Sequence, residues 1–340
     1  MKTSVVILNW NGKKWLEKFL PSVIHYSQSD DLEIVVADNA STDDSVSFLS
    51  EKYPHVRLLL FDKNWGFAEG YNKALAEIES KYTVLLNSDV EVTDNWLATL
   101  TEYMEANPDV AAVQPKILSQ LDKEHFEYAG AAGGFIDQYG YPFCRGRIFS
   151  VVEKDKDQYD KPLDIFWATG ACLMIRTDAY KAVGGLDGSF FAHQEEIDLC
   201  WRLRARGHRI VCLPSASVYH VGGGTLSAES PRKTFLNFRN NLLMLYKNLP
   251  ESKLKTVMRT RTLLDMLSFV QFWLTGKKKN AQAILEARRE FKKIMHEYQS
   301  KRIENQQKAT LDNIPEMYRG LILGSFYLKG RKTFNNITWK

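Results

Sequence analysis

The chain has 340 residues, of which 44% are apolar, 12% aromatic and 25% charged. That composition excludes wholesale disorder, collagen-like repeats and a small disulfide scaffold, and the length calls for one large domain plus something smaller. The net charge of +4 hides a split: residues 1–250 hold 26 basic and 33 acidic residues, and residues 251–340 hold 19 and 8. An acidic body with a basic tail is not a uniformly basic nucleic-acid binder, so no nucleic-acid partner is expected.

In chain order, Val5–Leu8 reads as a buried first strand, because its apolar run is too short for a signal segment. Lys14–His25 is helical, Glu33–Ala37 a second strand, and Ser41-Thr42-Asp43-Asp44 a helix start with early acids. Val56–Phe61 is a third strand, Phe67–Glu79 a helix, Thr83–Leu86 a fourth strand and Asn95–Ala106 a helix. This alternation predicts a mostly parallel sheet with helices on both faces, whose ligands bind beyond the carboxyl ends of the strands. Residues 116–165 are Gly- and Tyr-rich, then charged, and read as a long excursion over the surface. Order returns at Phe166–Ile175, followed by a helix from Glu195 to Arg206 and strands at Ile210–Leu213 and Ser217–His220. Beyond residue 231 the pattern is helical to about 305. Cys144, Cys172, Cys200 and Cys212 form no Cys-x-x-Cys pair, so neither a zinc site nor a disulfide framework is expected. No stretch reaches the roughly 18 apolar residues of a spanning helix.

Four consecutive strands deliver small polar groups to one edge: Asn9-Trp10-Asn11-Gly12, then Asp38–Asp43, then Asn64–Ala68, then Asn87-Ser88-Asp89. No Gly-x-Gly-x-x-Gly follows the first strand and no Gly-x4-Gly-Lys-Ser/Thr occurs, which counts against dinucleotide and P-loop sites. Asp38 either accepts hydrogen bonds from a base or ribose or is the N-terminal cap of the helix that Ser41 and Thr42 open. Asp89 at a strand end is suited to a hard divalent cation that keeps open positions for a diphosphate. Glu195 and Glu196 open a helix in which Asp198 and Arg202 pair at i,i+4; one of the two glutamates is a candidate general base, the alternative being an acid-rich helix start. His220 ends a strand before Gly222-Gly223-Gly224 and either completes a metal site with Asp89, touches a phosphate, or is a buried structural histidine.

In order and spacing, Val5–Gly12, Val36–Asp43, Asn64–Asn72, Leu85–Val90, Thr169–Cys172, Gly184–Phe191, Glu195–Arg202 and His220–Gly224 resemble the family 2 glycosyltransferases. These are inverting enzymes of the GT-A fold, and the likeness is greatest to the rhamnosyltransferase-like branch that builds bacterial cell-surface polysaccharides. The resemblance covers residues 3–250. It implies a catalytic domain over 1–250, with a nucleotide-binding half to about 115 and an acceptor half from 116, and a helical extension over 251–340. It implies that Asp38 binds the nucleobase, and that Asn9, Asn11, Asn64, Gly66, Gly70, Asn87 and Ser88 line the donor pocket. Asp89 and His220 would hold Mg²⁺ or Mn²⁺, with Asn87 standing where the first acid of the metal motif usually is. Thr169, Gly170, Ala171 and Asp187 would line the sugar and acceptor. Glu196 is the first choice for the base, with Glu195 the alternative. The implied donor is a dTDP- or UDP-linked sugar, and the acceptor a saccharide or lipid-linked saccharide. A nucleotidyltransferase and an inactive sugar-nucleotide-binding protein are the competing readings. The basic tail, rich in aromatics, reads as a peripheral contact with the inner face of the cell membrane of a cytoplasmic protein, or as a helical hairpin packed on the body.

Overall fold

The structure is a computed structural model that describes residues 2–222 and 230–339. Strand β1 (Thr3–Asn9) is almost wholly buried on both faces, which is why it reads as an unbroken apolar run. It is followed by α1 (Lys13–Tyr26), β2 (Leu32–Asp38), α2 (Ser45–Lys52), β3 (Arg57–Leu60), α3 (Gly66–Ala76), β4 (Tyr82–Asn87), β5 (Val90–Val92) and α4 (Trp96–Ala106). In α1 the buried residues Leu16, Phe19, Leu20 and Val23 recur at i, i+3, i+4 and i+7, the stripe that lays a helix on a sheet.

Strands β6 (Val110–Ser119), β7 (Gly134–Asp137), β8 (Pro142–Cys144), β9 (Arg147–Ile148), β10 (Val151–Val152), β11 (Leu163–Asp164) and β12 (Cys172–Arg176) come next. Then follow α5 (Thr177–Ala182), α6 (Glu195–Ala205) and β13 (Arg209–His220). The main sheet runs β11-β13-β6-β12-β4-β1-β2-β3, with β5 beside β13. Strands β4, β1, β2 and β3 are parallel, as the alternation predicted; β12, β11 and β5 are antiparallel to their neighbours. The two strand signals at Ile210–Leu213 and Ser217–His220 are one strand, β13, whose pairing with β6 shifts register between Leu213 and Ser217.

Successive β1 residues face opposite layers. Val5 and Ile7 belong to the apolar cluster that includes residues of α1, α2 and α4, and Val6 to the one that includes residues of α3, α6 and the tail.

The surface excursion expected over 116–165 is not what forms. Residues 130–137 and 143–148 are largely buried, and β7 to β10 make a second sheet, completed by β14 (Met317–Tyr318) from the far end of the chain. An isolated segment of this composition looks irregular because its partner strand lies about 180 residues away. The tail supplies α7 (Pro231–Asn248), α8 (Glu251–Leu274), α9 (Lys278–Ile294) and α10 (Gln299–Lys308). Val257, Phe291, Ile314, Ile322, Phe334 and Ile337 belong to the same apolar cluster as Val6 and Leu85, so residues 251–340 share the core of the body. All four cysteines are free and buried.

Candidate active site

Parallel register places Asn9 opposite Asp38 and Leu8 opposite Asn87, so three strand ends deliver polar groups to one edge. The loops there lock one another. Asn9 donates through Nδ2 to Asp38 Oδ2 (2.9 Å) and to Ser41 Oγ, and the Ser41 amide donates to Asp38 Oδ1 (2.8 Å). Asn9 Oδ1 is buried without a hydrogen-bond partner, and a side chain at Gly12 would collide with it. Asn11, at φ 50°, accepts through Oδ1 from the Thr42 and Asp43 amides and so ties the first loop to the second.

Asn64 Oδ1 accepts from the Gly66 amide and from Asn39 Nδ2, while Asn39 Oδ1 accepts from the Trp65 amide. Gly66 has φ 76°, and a Cβ there would meet the Phe191 ring. Gly70 is buried within α3 against Leu8 and Asn39. Asn11, Asn64 and Gly70 therefore shape the edge by holding loops and by close helix–sheet approach.

On the other flank, β13 pairs with β5 so that His220 lies opposite Val90, next to Asp89. His220 Nε2 is 3.2 Å from Asp89 Oδ1 and 3.5 Å from Asn87 Nδ2, and Ser88 is half-buried between the two. Behind the ring, Glu127 Oε2 lies 3.4 Å from Nδ1. Burial opposes a charge on this imidazole, but hydrogen bonding to Asp89 and Glu127 outweighs it and raises the pKa to about 10. In the structure the imidazolium of His220 pairs directly with Asp89; a divalent cation bound here would displace the Nε2 proton and take that nitrogen and the Asp89 carboxylate as its donors. That donor pair suits a divalent cation that keeps positions for diphosphate oxygens and water. Gly222 lies against Glu127; Gly223 and Gly224 fall outside the described residues.

The Thr169–Ala171 segment is buried beside these strand ends: the Thr169 amide donates to Gln114 Oε1, and the Ala171 carbonyl accepts from the Asn87 amide. Gly170 packs on Phe67.

The third component is the start of α6. Phe191, His193 and Gln194 all have positive φ (64°, 72° and 74°), an uncommon run for residues with side chains. The loop is held from both sides. The Phe191 carbonyl accepts from the Phe67 and Ala68 amides at the start of α3. Asn240 of α7 reaches the carbonyls of Phe190, Ala192 and His193 through Nδ2. Glu195 is 4% exposed and Glu196 half-buried, and each carries one buried oxygen without a hydrogen-bond partner. Burial raises both carboxyls, Glu195 further through the neighbouring Glu196, and Glu196 to about 7.

The expected Asp198–Arg202 pair forms at 3.0 Å. Asp198 and Asp187 also share the ammonium of Lys247 of α7, at 2.9 and 2.5 Å. Asp187 was expected to line the acceptor. Its carboxylate is buried, held by Lys247 of α7 and Lys301 of α10 and accepting from Ser189, so it serves as a link between the loop before α6 and the tail helices.

The sequence pattern of Glycosyl transferase family 2 matches residues 4–184. The chain belongs to that family. An N-acetylglucosaminyl-diphospho-decaprenol L-rhamnosyltransferase of Mycobacterium tuberculosis is 28% identical over 241 residues, covering 64% of this chain and 75% of its own length. The fold is that of GT-A glycosyltransferases. A mannosyltransferase of Pyrobaculum calidifontis, solved with GDP-Man and Mn²⁺, superposes with a TM-score of 0.52 at 15% identity, over 90% of this chain and 84% of that one. GalNAc-T7, solved with UDP, GalNAc and Mn²⁺, superposes with a TM-score of 0.57 at 16% identity, over 74% of this chain; the shared part is about half (49%) of that protein.

Four residues of this family 2 glycosyltransferase that shape the site carried no motif signal of their own: Asn39, Glu127, Asn240 and Lys247. Asn39 lay inside a quoted motif, and its spacing after Asp38 was the available clue. The others lie in segments whose position relative to the strand ends is set only by the folded chain.

Proposed function

We propose that this glycosyltransferase moves a sugar, with inversion, from a nucleoside-diphosphate donor to a hydroxyl of a saccharide or lipid-linked saccharide in cell-surface polysaccharide synthesis. The observation that supports this most strongly is the Glu195/Glu196 pair at the start of α6, each with one buried oxygen that lacks a hydrogen-bond partner, with Glu196 the more open of the two and raised to about 7. A carboxylate poised near neutrality suits proton abstraction. The donor is read as dTDP- or UDP-linked, lying on the strand-end edge formed by Asn9, Asp38 and Asn87.

Asp89 and His220 are the residues that would hold Mg²⁺ or Mn²⁺. When bound, such an ion neutralises charge on the diphosphate leaving group. Glu196 takes the proton of the acceptor hydroxyl. The hydroxyl oxygen bonds to the anomeric carbon from the face opposite the diphosphate, and the bond to the diphosphate oxygen breaks, releasing the nucleoside diphosphate. Asn240 and the Phe67 and Ala68 amides hold the loop that aims Glu196. Among the described residues no helix is long and apolar enough to cross a membrane. The place of work is read as the inner face of the cell membrane, reached peripherally through residues 251–340.

The test is transfer from a panel of nucleotide sugars, with NMR of the product anomer. Glu196→Gln is expected to lower kcat by about 10²–10⁴-fold with donor affinity retained, and Asp89→Ala to abolish cation-dependent transfer. Retention of anomeric configuration, or wild-type turnover in Glu196→Gln, overturns the assignment.

A further inference from the structure

The basic tail shares the core of the body, and α8 carries an exposed apolar stripe on its outer side. We propose that the outer stripe of α8 docks this protein on an anionic lipid surface. This deepens the reading of a lipid-linked acceptor and rests on it for its purpose, while the observations stand on α8 alone.

The inner side of α8 is defined by Val257, Arg261 and Asp265, all buried at i,i+4 spacing. Arg261 donates to the Tyr139 carbonyl and lies over the Tyr141 ring, and Asp265 binds both Arg261 and Arg288 of α9. The helix is therefore fixed to the second sheet and to α9 from one side only. On the opposite side Leu263, Leu267, Val270 and Leu274 recur at i, i+4, i+7 and i+11 and are 69, 66, 48 and 79% exposed. Trp273 flanks them at 47%. A continuous apolar stripe of three turns, about 16 Å long, is more than scattered surface hydrophobicity.

Charge selects the occupant. Between residues 252 and 285 the only acid is Asp265, which is fully buried and paired. The exposed charges are all cations: Lys253, Lys255 and Arg259 before the stripe and Lys277, Lys278 and Lys279 after it. An apolar stripe bounded at both ends by cations, with the only exposed acid of α8, Glu251, twelve residues before it and paired with Arg302, matches a bilayer in which acyl chains lie beneath anionic headgroups. A second copy of the chain is a poor match, because antiparallel stripes would set Arg259 of one helix against Lys277–Lys279 of the other, and parallel stripes would set like ends together. The neighbouring α9 shows the contrast: its Arg288, Arg289, Lys292 and Lys293 are interspersed with Glu286 and Glu290, and its apolar residues are turned inward.

The experiment is co-sedimentation of the full chain with vesicles of phosphatidylcholine alone or mixed with phosphatidylglycerol, without donor or acceptor. Binding to the mixed vesicles is expected to be at least about tenfold tighter than to neutral ones and to weaken with salt. The double variant Leu267→Glu/Val270→Glu is expected to lose about tenfold or more, and Lys278→Glu/Lys279→Glu to lose the anionic preference. Both alter exposed side chains, so an unchanged thermal melt shows that the fold is intact. Glu196→Gln is expected to bind vesicles like the wild type. Equal binding by wild type and Leu267→Glu/Val270→Glu, no binding to anionic vesicles, or a dimer in sedimentation velocity that Leu267→Glu dissociates, overturns the proposal. Because no substrate is present, any of these outcomes leaves the transferase reading standing. Loss of transfer in Glu196→Gln with vesicle binding intact separates the two in the other direction.

Discussion

The donor edge and the start of α6 treat polar groups in opposite ways. At the donor edge, Asn9, Asp38, Ser41, Asn39 and Asn64 hydrogen-bond largely to one another, so the loops are rigid before any ligand arrives. At the start of α6 two carboxylates are buried with unpartnered oxygens, on a loop with three positive-φ side-chain residues, and the counterweight comes from α7. The first arrangement presents a preformed shape. The second keeps a proton acceptor from settling into a structural role, which is what raises its pKa. Strain of this kind costs about 1–3 kcal/mol per residue and persists only where neighbours over-determine the backbone.

The dependence of α6 on α7 can be broken directly. Lys247→Met removes the ammonium shared by Asp187 and Asp198, and a loss of about 3–5 kcal/mol of stability is expected, read by chemical denaturation. Burial works to raise the Asp187 carboxyl, but Lys247 and Lys301 outweigh it and hold the group well below the usual range. Its contribution is therefore present above the ordinary aspartate pKa and lost as pH falls through the folded value. The variant should show less acid sensitivity than the wild type. Equal stability of Lys247→Met would mean that the Lys247 ion pairs are not what holds α6.

A smaller effect is expected at His220, on the Asn87–Asp89 flank of the strand-end edge. Glu127→Gln leaves the ring in place but weakens its orientation from behind. Mn²⁺ affinity, followed by electron paramagnetic resonance, should fall about 10–100-fold with the melt unchanged; full affinity would make Glu127 a packing residue only.

The pH profile sharpens the contrast further. Proton abstraction requires ionised Glu196, so kcat should rise with pH, close to tenfold per unit below the pKa, and level off above about 7. A limb near the ordinary carboxylate range would show that a solvated acid does the work.

The smallest change is expected on the donor side. Asn11→Ala removes the acceptor shared by the Thr42 and Asp43 amides. A loss of about 1 kcal/mol should raise the donor KM several-fold while kcat holds. A fall in kcat alone would place Asn11 at the reacting centre.

Local patterns in the sequence determined much of this molecule. The βα alternation, the parallel core, the strand-end residues Asn9, Asp38, Asn87 and Asp89, and the Asp198–Arg202 pair depend on spacings of a few residues. Periodicity and short motifs carry such spacings. Tertiary structure decided the rest. It made residues 130–148 a buried sheet by supplying β14 from the tail. It buried Lys247 against Asp187, and it set Glu127 behind His220 across 93 residues of chain. It also packed Val257 and Phe291 of the basic tail into the core while leaving Leu263, Leu267 and Leu274 of α8 exposed. These outcomes turn on which distant side chain arrives to satisfy a buried charge or cover an apolar face. A carboxylate reads the same in sequence whether a lysine 60 residues away neutralises it or nothing does, and that difference separates Asp187 from Glu196.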